Sequence, residues 1–428
     1  MRKFRLLAFA SLAALGFAAQ AQAAGFYLQE QSVRGTGRAY SGEVADQGVE
    51  SLWWNPAAIA RSGRQAYVGA HGVFIDANIT SVTSTVTYPG GTTLPAGGEV
   101  IAHKPITPGL VPNMAVSYPV GDRFALGLSV AAPFNFTTKY RPRAFTRYDA
   151  QTSTLRTVDI QMTGAMKVTD WLDVGVSADA EYMKARLSNA DPNLSPLLPD
   201  ASQTLKGHGW DWGWSVGAQG HFDRLTVGAS YRSQIKHTLD GSVAVSGLLG
   251  PLAGANATTA ASAGFTTPWI ATLGARYALT DRLTLNGQIQ RTGWAKFKAI
   301  TVNLPTGSQV QPQDYKSTTS GGVGVDYAAT PQVTLRAGMQ YDPTPTPDIG
   351  RTARVPDGDR YFYGVGATVQ ATEGLSVEGA FGFIHFKDTR IDHTTPFYAG
   401  TPAATSTHVV GDEQGKGYIL SLGLRSTF

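Results

Sequence analysis

Apolar and polar residues alternate along six segments of the chain, and each segment directly follows a short turn. In the segment that begins at Leu225, this residue and Val227 share one face, while Thr226 and Arg232 share the other. An alternation with a period of two residues predicts β-strands that have one apolar and one polar face. The six turns are centred on Asp122, Asp170, Asp223, Asp281, Pro331 and Glu373.

The separation between consecutive turns, 42 to 58 residues, indicates how the strands are connected. It is too long for a single hairpin and fits a repeating unit of strand, long loop, strand and short turn. Six short turns join the strands in pairs, and one further strand at each end makes fourteen. The strands are predicted to begin near Tyr67, Asn113, Phe124, Thr157, Leu172, Gly209, Leu225, Trp269, Leu283, Lys316, Val333, Tyr361, Leu375 and Tyr418.

Residues 1–23 have the composition of a signal peptide. Three basic residues precede an apolar run that is too short to span a bilayer, and Ala21-Gln22-Ala23 forms an A-x-A cleavage site. The mature chain is therefore expected to begin at Ala24 and to be exported. Because the removed segment holds three basic residues and no acids, the formal net charge falls from +4 to +1, and nucleic acid is not expected as a partner.

Periodicity alone does not say whether the apolar faces point into a soluble core or toward lipid. Strands of roughly ten residues or more, the predicted export and the absence of cysteine favour transmembrane β-strands. The final segment, GYILSLGLRSTF, alternates apolar residues and ends in Phe428, which resembles the assembly signal of outer-membrane barrels. We therefore expect the barrel-assembly machinery to bind the strand that ends in Phe428, and outer-membrane lipid and lipopolysaccharide to surround the barrel.

Residues 24–63 fall outside the strand pattern. A barrel of about fourteen strands is wide enough to leave an open lumen. We therefore predict that residues 24–63 form a hatch, or plug, inside the lumen of a barrel that is formed by residues 64–428. The stretch ESLWWNPAAIA fits this placement, because a proline after two tryptophans is awkward in a strand and ends a helix.

The hatch segment resembles the N-terminal hatch of the FadL/TodX-type outer-membrane transporters of long-chain fatty acids and other hydrophobic compounds. The matching pieces are Ala24-Gly25-Phe26, Gly37 to Gly42 and Asn55-Pro56-Ala57. Four later pieces, VPNMAVSYPV, YRSQIKHTLDG, RTGWAKF and VPDGDRYFYGVGATV, are similar to family segments in the same order. The resemblance therefore covers nearly the whole mature chain. It implies an all-β fold, a fourteen-stranded antiparallel transmembrane barrel with a hatch in its lumen.

The resemblance assigns roles to residues of the hatch. It implies that Phe26 contacts the ligand and that Asn55, Pro56 and Ala57 form a rigid gating turn. Trp53 and Trp54 are expected to border the ligand path, or only to hold the hatch in place.

The third predicted strand, LSVAAPFNFTTKY, carries Pro133 in its interior. Proline cannot donate to a ladder, so it belongs at an edge, a bulge or a break. In the family this strand is kinked inward and leaves a gap in the wall, so Pro133 is expected to gate a lateral exit and Phe134 to contact the ligand. The alternative is a proline at the outer end of the strand, next to the second loop.

Two loops carry apolar residues that are expected to be exposed. Loop four holds Leu248, Leu249 and Leu252, and loop three holds Leu197. Exposed apolar clusters often mark binding surfaces, and the resemblance implies that ligand is first captured between these two loops. The loops could instead pack on each other.

A carboxylate head group would favour a nearby cation. Lys316 matches a family lysine that faces the inner binding site. The partnering arginine is less well matched, because Arg186 is close to its place but the aligned residue is Asn189. This departure leaves uncharged hydrocarbons open as ligands.

Catalytic and metal-binding signatures are not found: the sequence has no H-E-x-x-H and no G-x-S-x-G, and RGTGRAYSG misses the spacing of a nucleotide-binding loop. No cofactor and no enzymatic activity are expected. The function indicated is passive uptake of hydrophobic small molecules, long-chain fatty acids above all. Uptake of monoaromatic hydrocarbons is the alternative, and a general porin or an outer-membrane lipid hydrolase are further rivals.

Overall fold

The computed structural model describes residues 25–428, so the predicted signal peptide, residues 1–23, lies outside the described residues. The described chain is almost entirely antiparallel β-structure. The strands are β1 (Gln65–Thr87), β2 (Thr93–Pro95), β3 (Ile101–His103), β4 (Gly109–Val120), β5 (Phe124–Ala131), β6 (Phe136–Lys139), β7 (Thr152–Lys167), β8 (Leu172–Asp191), β9 (Ala201–Phe222), β10 (Leu225–Arg232), β11 (Lys236–Ser246), β12 (Ala257–Thr266), β13 (Ile270–Ala278), β14 (Leu283–Thr292), β15 (Ala299–Leu304), β16 (Gly307–Pro312), β17 (Thr318–Ala328), β18 (Val333–Asp342), β19 (Arg360–Thr372), β20 (Leu375–Phe386), β21 (Thr389–Phe397) and β22 (Thr405–Thr427).

Helical structure is confined to short pieces, one α-helix and five 3₁₀ turns. The helix is α1 (Val33–Gly37), and the 3₁₀ turns are Glu43–Ala45, Val49–Ser51, Pro56–Ile59, Gly250–Ala255 and Trp294–Lys296. No helix within residues 25–428 combines the length and the apolar character that a membrane crossing needs.

The strands form one closed antiparallel barrel with fourteen crossings, which confirms the predicted count. Seven crossings are interrupted and consist of two or three strands, which explains why twenty-two strands make fourteen crossings. The barrel closes where β1 pairs with β22, from Gln65 opposite Thr427 to Thr87 opposite Ser406. Short turns lie at one end, the short-turn end, and long loops at the other, the long-loop end.

The strands extend further toward the long-loop end than the sequence pattern predicts. β22 begins at Thr405 rather than near Tyr418. The added residues include Asp412 and Glu413, which do not follow the apolar alternation. Periodicity detects only the part of a strand that has an apolar outer face, so the polar extensions escape it.

The predicted alternation of faces is present in the barrel wall. Along β22, Leu422 is 72% exposed on the outside, whereas the adjacent Ser421 is 2% exposed and faces inward. The same rule places Arg232 of β10 on the inner face, where it is buried. The outside of the barrel is therefore apolar and its inside is polar.

Residues 25–63 lie inside the barrel. The helix α1 packs against β18, β19, β20 and β22, while the turn Pro56–Ile59 packs against β7, β8 and β9 on the other side. Glycines of the wall permit this close approach. A Cβ at Gly217 would lie 2.0 Å from Oδ1 of Asn55, and one at Gly338 would lie 2.2 Å from the carbonyl of Arg38. The segment therefore fills the lumen near the short-turn end.

Candidate functional site

An apolar cavity lies in the lumen above residues 25–63, on the long-loop side. It encloses about 630 Å³, part of it open to solvent. Its lining is aliphatic and aromatic with few polar groups: Phe26, Phe136, Thr154, Leu155, Ala185, Leu187, Leu205, Leu239, Ala263, Phe265, Phe297, Ile300, Gln313, Arg354 and Val355. A concave, mostly apolar site with a few polar groups is typical of small-molecule binding.

Phe26 lies at the centre of an aromatic cluster in the wall of this cavity. Its ring centroid is 5.9 Å from Phe134, 6.0 Å from Phe136, 4.8 Å from Trp294 and 5.2 Å from Phe297. Several of these contacts are edge-to-face, an arrangement that stabilises aromatic pairs. The predicted ligand residue Phe26 is thus placed on the cavity wall.

The third crossing is broken at residues 132–135, between β5 and β6, and Pro133 lies in the break. In place of ladder bonds, the Leu28 N–H donates to the carbonyl of Pro133 (2.7 Å) and the Phe134 N–H donates to Oγ1 of Thr157 (3.0 Å). Tyr27 forms an isolated antiparallel bridge with Phe134. Because pairing resumes in β6, Pro133 interrupts the strand and does not merely end it. The wall therefore pairs with the N-terminal segment at this point.

A second interruption, which the sequence analysis missed, lies between β14 and β15. The 3₁₀ turn there carries Trp294, which is fully buried and contacts both Phe26 and Phe134, the latter at 6.4 Å. Phe297 from the same interruption contacts Tyr315 at 4.9 Å. The motif RTGWAKF, which contains Trp294 and Phe297, resembles a family segment but does not follow the strand alternation. Its glycine and paired aromatics were the available signal for a strand break.

The Asn-Pro-Ala turn is fixed by hydrogen bonds on both sides. The side chain of Asn55 accepts from the Ala57 N–H (2.9 Å) and donates to the carbonyls of Val44 (2.7 Å) and Ala218 (3.1 Å). Asn55 is therefore the N-cap of the 3₁₀ turn, and Pro56 occupies its first position. These hydrogen bonds hold the turn to the preceding part of the segment and, through Ala218 of β9, to the wall.

Trp53 and Trp54 are both buried, and both border a smaller space of about 280 Å³. The guanidinium of Arg232 lies over the Trp53 ring, 3.5 Å from its centroid, and donates to the Trp53 carbonyl (3.0 Å). The Trp54 ring stacks on Tyr40 at 6.0 Å. Both tryptophans thus pack the N-terminal segment against the wall and also line this smaller space.

Buried ion pairs join the N-terminal segment to the wall. Arg38 pairs with Glu43, with Asp46 (2.6 Å) and with Asp326 of β17 (3.1 Å). Burial alone would raise the pKa of Asp46, but Arg276 and the arginines of the segment hold that pKa well below its usual range. This network is nearly sealed from solvent, so each charge depends on its partners.

Glu50 forms a second link to the wall. It pairs with Arg34 (2.7 Å) and with Arg425 of β22 (3.0 Å). Burial raises the pKa of Glu50 to about 8; the arginines oppose this rise and the neighbouring Glu378 adds to it. Both links lie toward the short-turn end, away from the apolar cavity.

Loops three and four meet at the long-loop end. Asn193 of loop three donates to the carbonyl of Gly247 (3.1 Å) and accepts from the N–H of Leu249 (2.9 Å). Leu197 is 92% exposed and Leu249 is 39% exposed at this junction. Of the other predicted residues, Leu252 is half-buried and Leu248 is buried. The loops therefore pack on each other and still present leucines to solvent.

The two basic residues that were predicted to bind a carboxylate head group are not on the cavity wall. Arg186 is exposed, because the inward positions of β8 are the odd-numbered ones, such as Met183. Lys316 is also exposed, and the residue that turns inward beside it is Tyr315. The cation that does line the cavity is Arg354, from the loop between β18 and β19. No pattern in the sequence predicted Arg354 as a ligand residue.

The described residues bring together no group of three or more histidine, cysteine, aspartate or glutamate side chains that is arranged to hold a metal ion.

The chain matches known proteins over most of its length. Residues 14–428 match the family described as "Outer membrane protein transport protein (OMPP1/FadL/TodX)". "Outer membrane protein P1" of Haemophilus influenzae is 27% identical, over 91% of this chain and 93% of its own. The "Long-chain fatty acid transport protein" of Escherichia coli K12 is 26% identical, over 87% of this chain and 90% of its own.

Solved structures give the same answer. A FadL homologue from Pseudomonas aeruginosa superposes with a TM-score of 0.82 and 25% identity, over 94% of this chain and 99% of its own. The toluene transporter TbuX of Ralstonia pickettii superposes with a TM-score of 0.66 and 17% identity, over 93% and 98%, which shows a shared fold. The chain therefore belongs to the OMPP1/FadL/TodX family of outer-membrane transport channels for hydrophobic compounds, and it is not an enzyme.

Proposed function

We propose that this protein takes up long-chain fatty acids passively across the outer membrane. The observation that carries the proposal is the apolar cavity of about 630 Å³ above the N-terminal segment. Its lining is almost entirely aliphatic and aromatic, and the gain from such a lining grows with the apolar area that a ligand buries. A long acyl chain carries more apolar surface than a single ring, so it should gain more from this lining.

Loops three and four suggest where the ligand enters, and the break in the barrel wall suggests where it leaves. Leu197, Leu249 and the adjoining Leu248 and Leu252 of loops three and four would capture ligand at the long-loop end. The break at residues 132–135, with Pro133 and Phe134, would release it sideways into the bilayer. Each buried methylene contributes about 0.8 kcal/mol, so a lateral exit into lipid avoids returning a long chain to water.

The N-terminal segment, residues 24–63, is the gate in this proposal. Phe26 lines the cavity and contacts Phe134 in the wall break, so ligand that reaches Phe26 also disturbs the contact that closes the exit. Asn55, Pro56 and Ala57 hold the other end of the segment rigid. Trp53 and Trp54 would line the later part of the route.

The barrel-assembly machinery and outer-membrane lipid are the partners we propose for the wall itself. Phe428 ends the chain just beyond β22 and is exposed, which leaves its ring accessible for recognition. The apolar outer face of the strands suits lipid and the acyl chains of lipopolysaccharide.

Uptake of monoaromatic hydrocarbons is the second candidate. The smaller space of about 280 Å³ is bordered by Tyr27, Trp53, Trp54 and Tyr231, a lining that suits a flat ring. The structural relatives also include toluene transporters.

The first test is the binding of hexadecanoate and of toluene to the purified, delipidated barrel. We compare the wild type with Leu239→Trp, which fills the cavity, and with Leu420→Trp on the lipid-facing side of β22. Hexadecanoate binding should weaken about tenfold or more in Leu239→Trp and stay unchanged in the control, a difference of roughly 1.4 kcal/mol or more.

The other outcomes of this test discriminate between the candidates. Binding of toluene alone would favour the hydrocarbon candidate, and binding of neither ligand would refute the proposed uptake. Steady conductance to small hydrophilic solutes would indicate a general porin. Ester turnover that is lost with one serine or histidine substitution would indicate a lipid hydrolase.

A further inference from the structure

Arg354 is the one charged side chain in the lining of the apolar cavity, as far as the described chain shows. It is held by the loop between β18 and β19, and its carbonyl accepts a hydrogen bond from Oγ1 of Thr138 (3.0 Å). The guanidinium donates to neutral oxygens, Oδ1 of Asn189 (2.9 Å) and Oγ of Ser153 (3.5 Å). The side chain is only half-buried, because part of its surface borders the cavity.

This arginine differs from others that face the lumen. Arg232 pairs with Asp179 at 3.0 Å, and Arg360 pairs with Asp342 at 2.5 Å. Within residues 25–428, no carboxylate oxygen lies within 4.0 Å of the Arg354 guanidinium. An arginine stays charged in proteins, so the lumen holds here a cation that lacks a counter-charge. Such a group is costly to bury and gains most from an added anion.

Burial is the main influence on the pKa of Arg354, and it lowers that pKa. Asp149 and Asp191 oppose this effect from beyond ion-pairing distance. Both carboxylates have partners of their own, since Asp149 accepts from the N–H of Ala353 and Asp191 accepts from Nδ2 of Asn189 (2.8 Å). They do not neutralise Arg354 directly.

Arg354 also stands between two chambers. It borders a smaller space of about 360 Å³, the polar chamber, whose lining includes Asn189, Gln203, Gln309 and Gln311. Leu187 and Leu205 line both the polar chamber and the apolar cavity, so the two adjoin beside Arg354. A ligand with a polar head and a long apolar tail could place its head beside Arg354 and the polar chamber and its tail in the apolar cavity.

We propose that Arg354 binds the carboxylate of a long-chain carboxylic acid whose tail extends through the apolar cavity toward Phe26. This inference rests on the proposed function and adds to it the group that selects the ligand. A guanidinium and a carboxylate form charge-assisted, often bidentate, hydrogen bonds. The cavity wall treats acids, alcohols and hydrocarbons alike, so Arg354 is what separates the acid from uncharged compounds of the same length.

The test compares two ligands that differ only in the head group, hexadecanoate and hexadecanol. Their binding to the full, delipidated barrel is measured at pH 8 for the wild type, Arg354→Gln and Arg354→Lys. Arg186→Gln serves as the matched control, since it removes an arginine from the outward face of β8. Hexadecanol binding also reports whether each variant retains a folded cavity.

Arg354→Gln should weaken hexadecanoate binding about 10- to 100-fold, as expected for a lost hydrogen bond to a charged group. Hexadecanol binding should stay within about twofold of the wild type, Arg354→Lys should recover part of the loss, and Arg186→Gln should change neither ligand. Equal loss of both ligands in Arg354→Gln, or loss of neither, would overturn the role of Arg354. The proposed function itself fails if the wild type does not bind hexadecanoate, whereas wild-type binding that Arg354→Gln leaves unchanged overturns only the role of Arg354.

Discussion

The two halves of the lumen are built on opposite principles. Near the long-loop end, aromatic and aliphatic side chains around Phe26 enclose an apolar cavity with a single charged group in its described lining, Arg354. Near the short-turn end, the N-terminal segment (residues 25–63), which is the predicted hatch, is held by buried ion pairs around Arg38 and by backbone contacts with wall glycines. Apolar contacts are non-directional and can be exchanged for contacts with a ligand, whereas buried charges require their specific partners. We infer that the Phe26 end moves during transport and that the Arg38 end stays fixed.

The largest expected effect is on uptake of hexadecanoate. It should come from cross-linking the Phe26 end of the N-terminal segment, which we expect to move, to the wall. Tyr27 and Phe134 oppose each other in an antiparallel bridge, a geometry of about 4.5–5.5 Å between Cα atoms that a disulfide can span. The chain has no cysteine, so Tyr27→Cys combined with Phe134→Cys gives a single possible disulfide. Oxidation should abolish hexadecanoate uptake by cells that express the variant, and reduction should restore it.

Tyr27→Cys alone is the control for this lock, since it loses the same ring and forms no internal disulfide. If the oxidised double variant transports as fast as the reduced one, the N-terminal end does not have to leave the wall break, and the division of the lumen into moving and fixed halves is wrong.

The next effect concerns the end that we expect to stay fixed. Arg38→Ala leaves Glu43 without its paired cation and removes one partner from Asp46 and Asp326, which keep Arg276. Breaking a buried pair typically costs about 3–5 kcal/mol. The hatch should detach from the wall while the barrel persists, so bilayer recordings should show new conductance to small ions. Arg224→Ala, which breaks an exposed pair with Asp281 (3.4 Å), should leave conductance at the wild-type level. If the conductance of Arg38→Ala to small ions equals that of the wild type, the ion pairs do not hold the hatch in place.

A smaller effect tests the glycine contacts. In Gly217→Ala the new methyl would lie 2.0 Å from Oδ1 of Asn55, so the Asn-Pro-Ala turn must shift, at about 1–3 kcal/mol. Hydrogen exchange of the turn Pro56–Ile59 should become faster. Gly164→Ala on β7 meets no atom within 4 Å, so its exchange should match the wild type. If the hydrogen-exchange rate of the turn is the same in Gly217→Ala as in the wild type, the new methyl group is accommodated by a shift of the barrel wall and not of the hatch.

The smallest expected effect is a dependence of the stability of the hatch on pH. Burial raises the pKa of Glu50 to about 8, above its unfolded value of 4.5. A group whose pKa is raised by folding stabilises the folded state fully below the unfolded pKa, and this contribution is lost as pH rises through the folded pKa. Proteolysis of the hatch should therefore become slightly faster between pH 6 and pH 9, and Glu50→Gln should remove that dependence. A wild-type rate that is flat, or slower at high pH, would refute this assignment.

The sequence predicted the wall better than it predicted the ligand site. Strand number and the break at Pro133 follow from local rules, alternation of faces and the missing N–H of proline, and both are present in the structure. Arg186 was misplaced although the same alternation excludes it, because Met183 and the other odd-numbered residues of β8 face inward. The family position itself aligns with Asn189, and Arg186 is only a basic residue close to it in the sequence.

Arg354 and Trp294 were not predicted as site residues from the sequence, for a different reason. Both come from segments that lie between regular strands and turn back into the lumen. No periodicity governs such segments, so their side chains are placed by long-range packing, which a single sequence does not display. The hatch is similar, since its ion pairs join residues as far apart as Arg38 and Asp326.

The pairing of β1 with β22 closes the barrel, and it has a consequence for biogenesis. The first crossing meets the last, so the seam forms only after the whole chain has been delivered to the membrane. Residues 25–63 precede β1 in the chain, so they are present before the seam can form. Until then Glu50 lacks Arg425, its partner on the last strand. A chain truncated before β22 would thus expose both an open strand edge and unpaired charges, features by which quality-control proteases could distinguish unfinished barrels from finished ones.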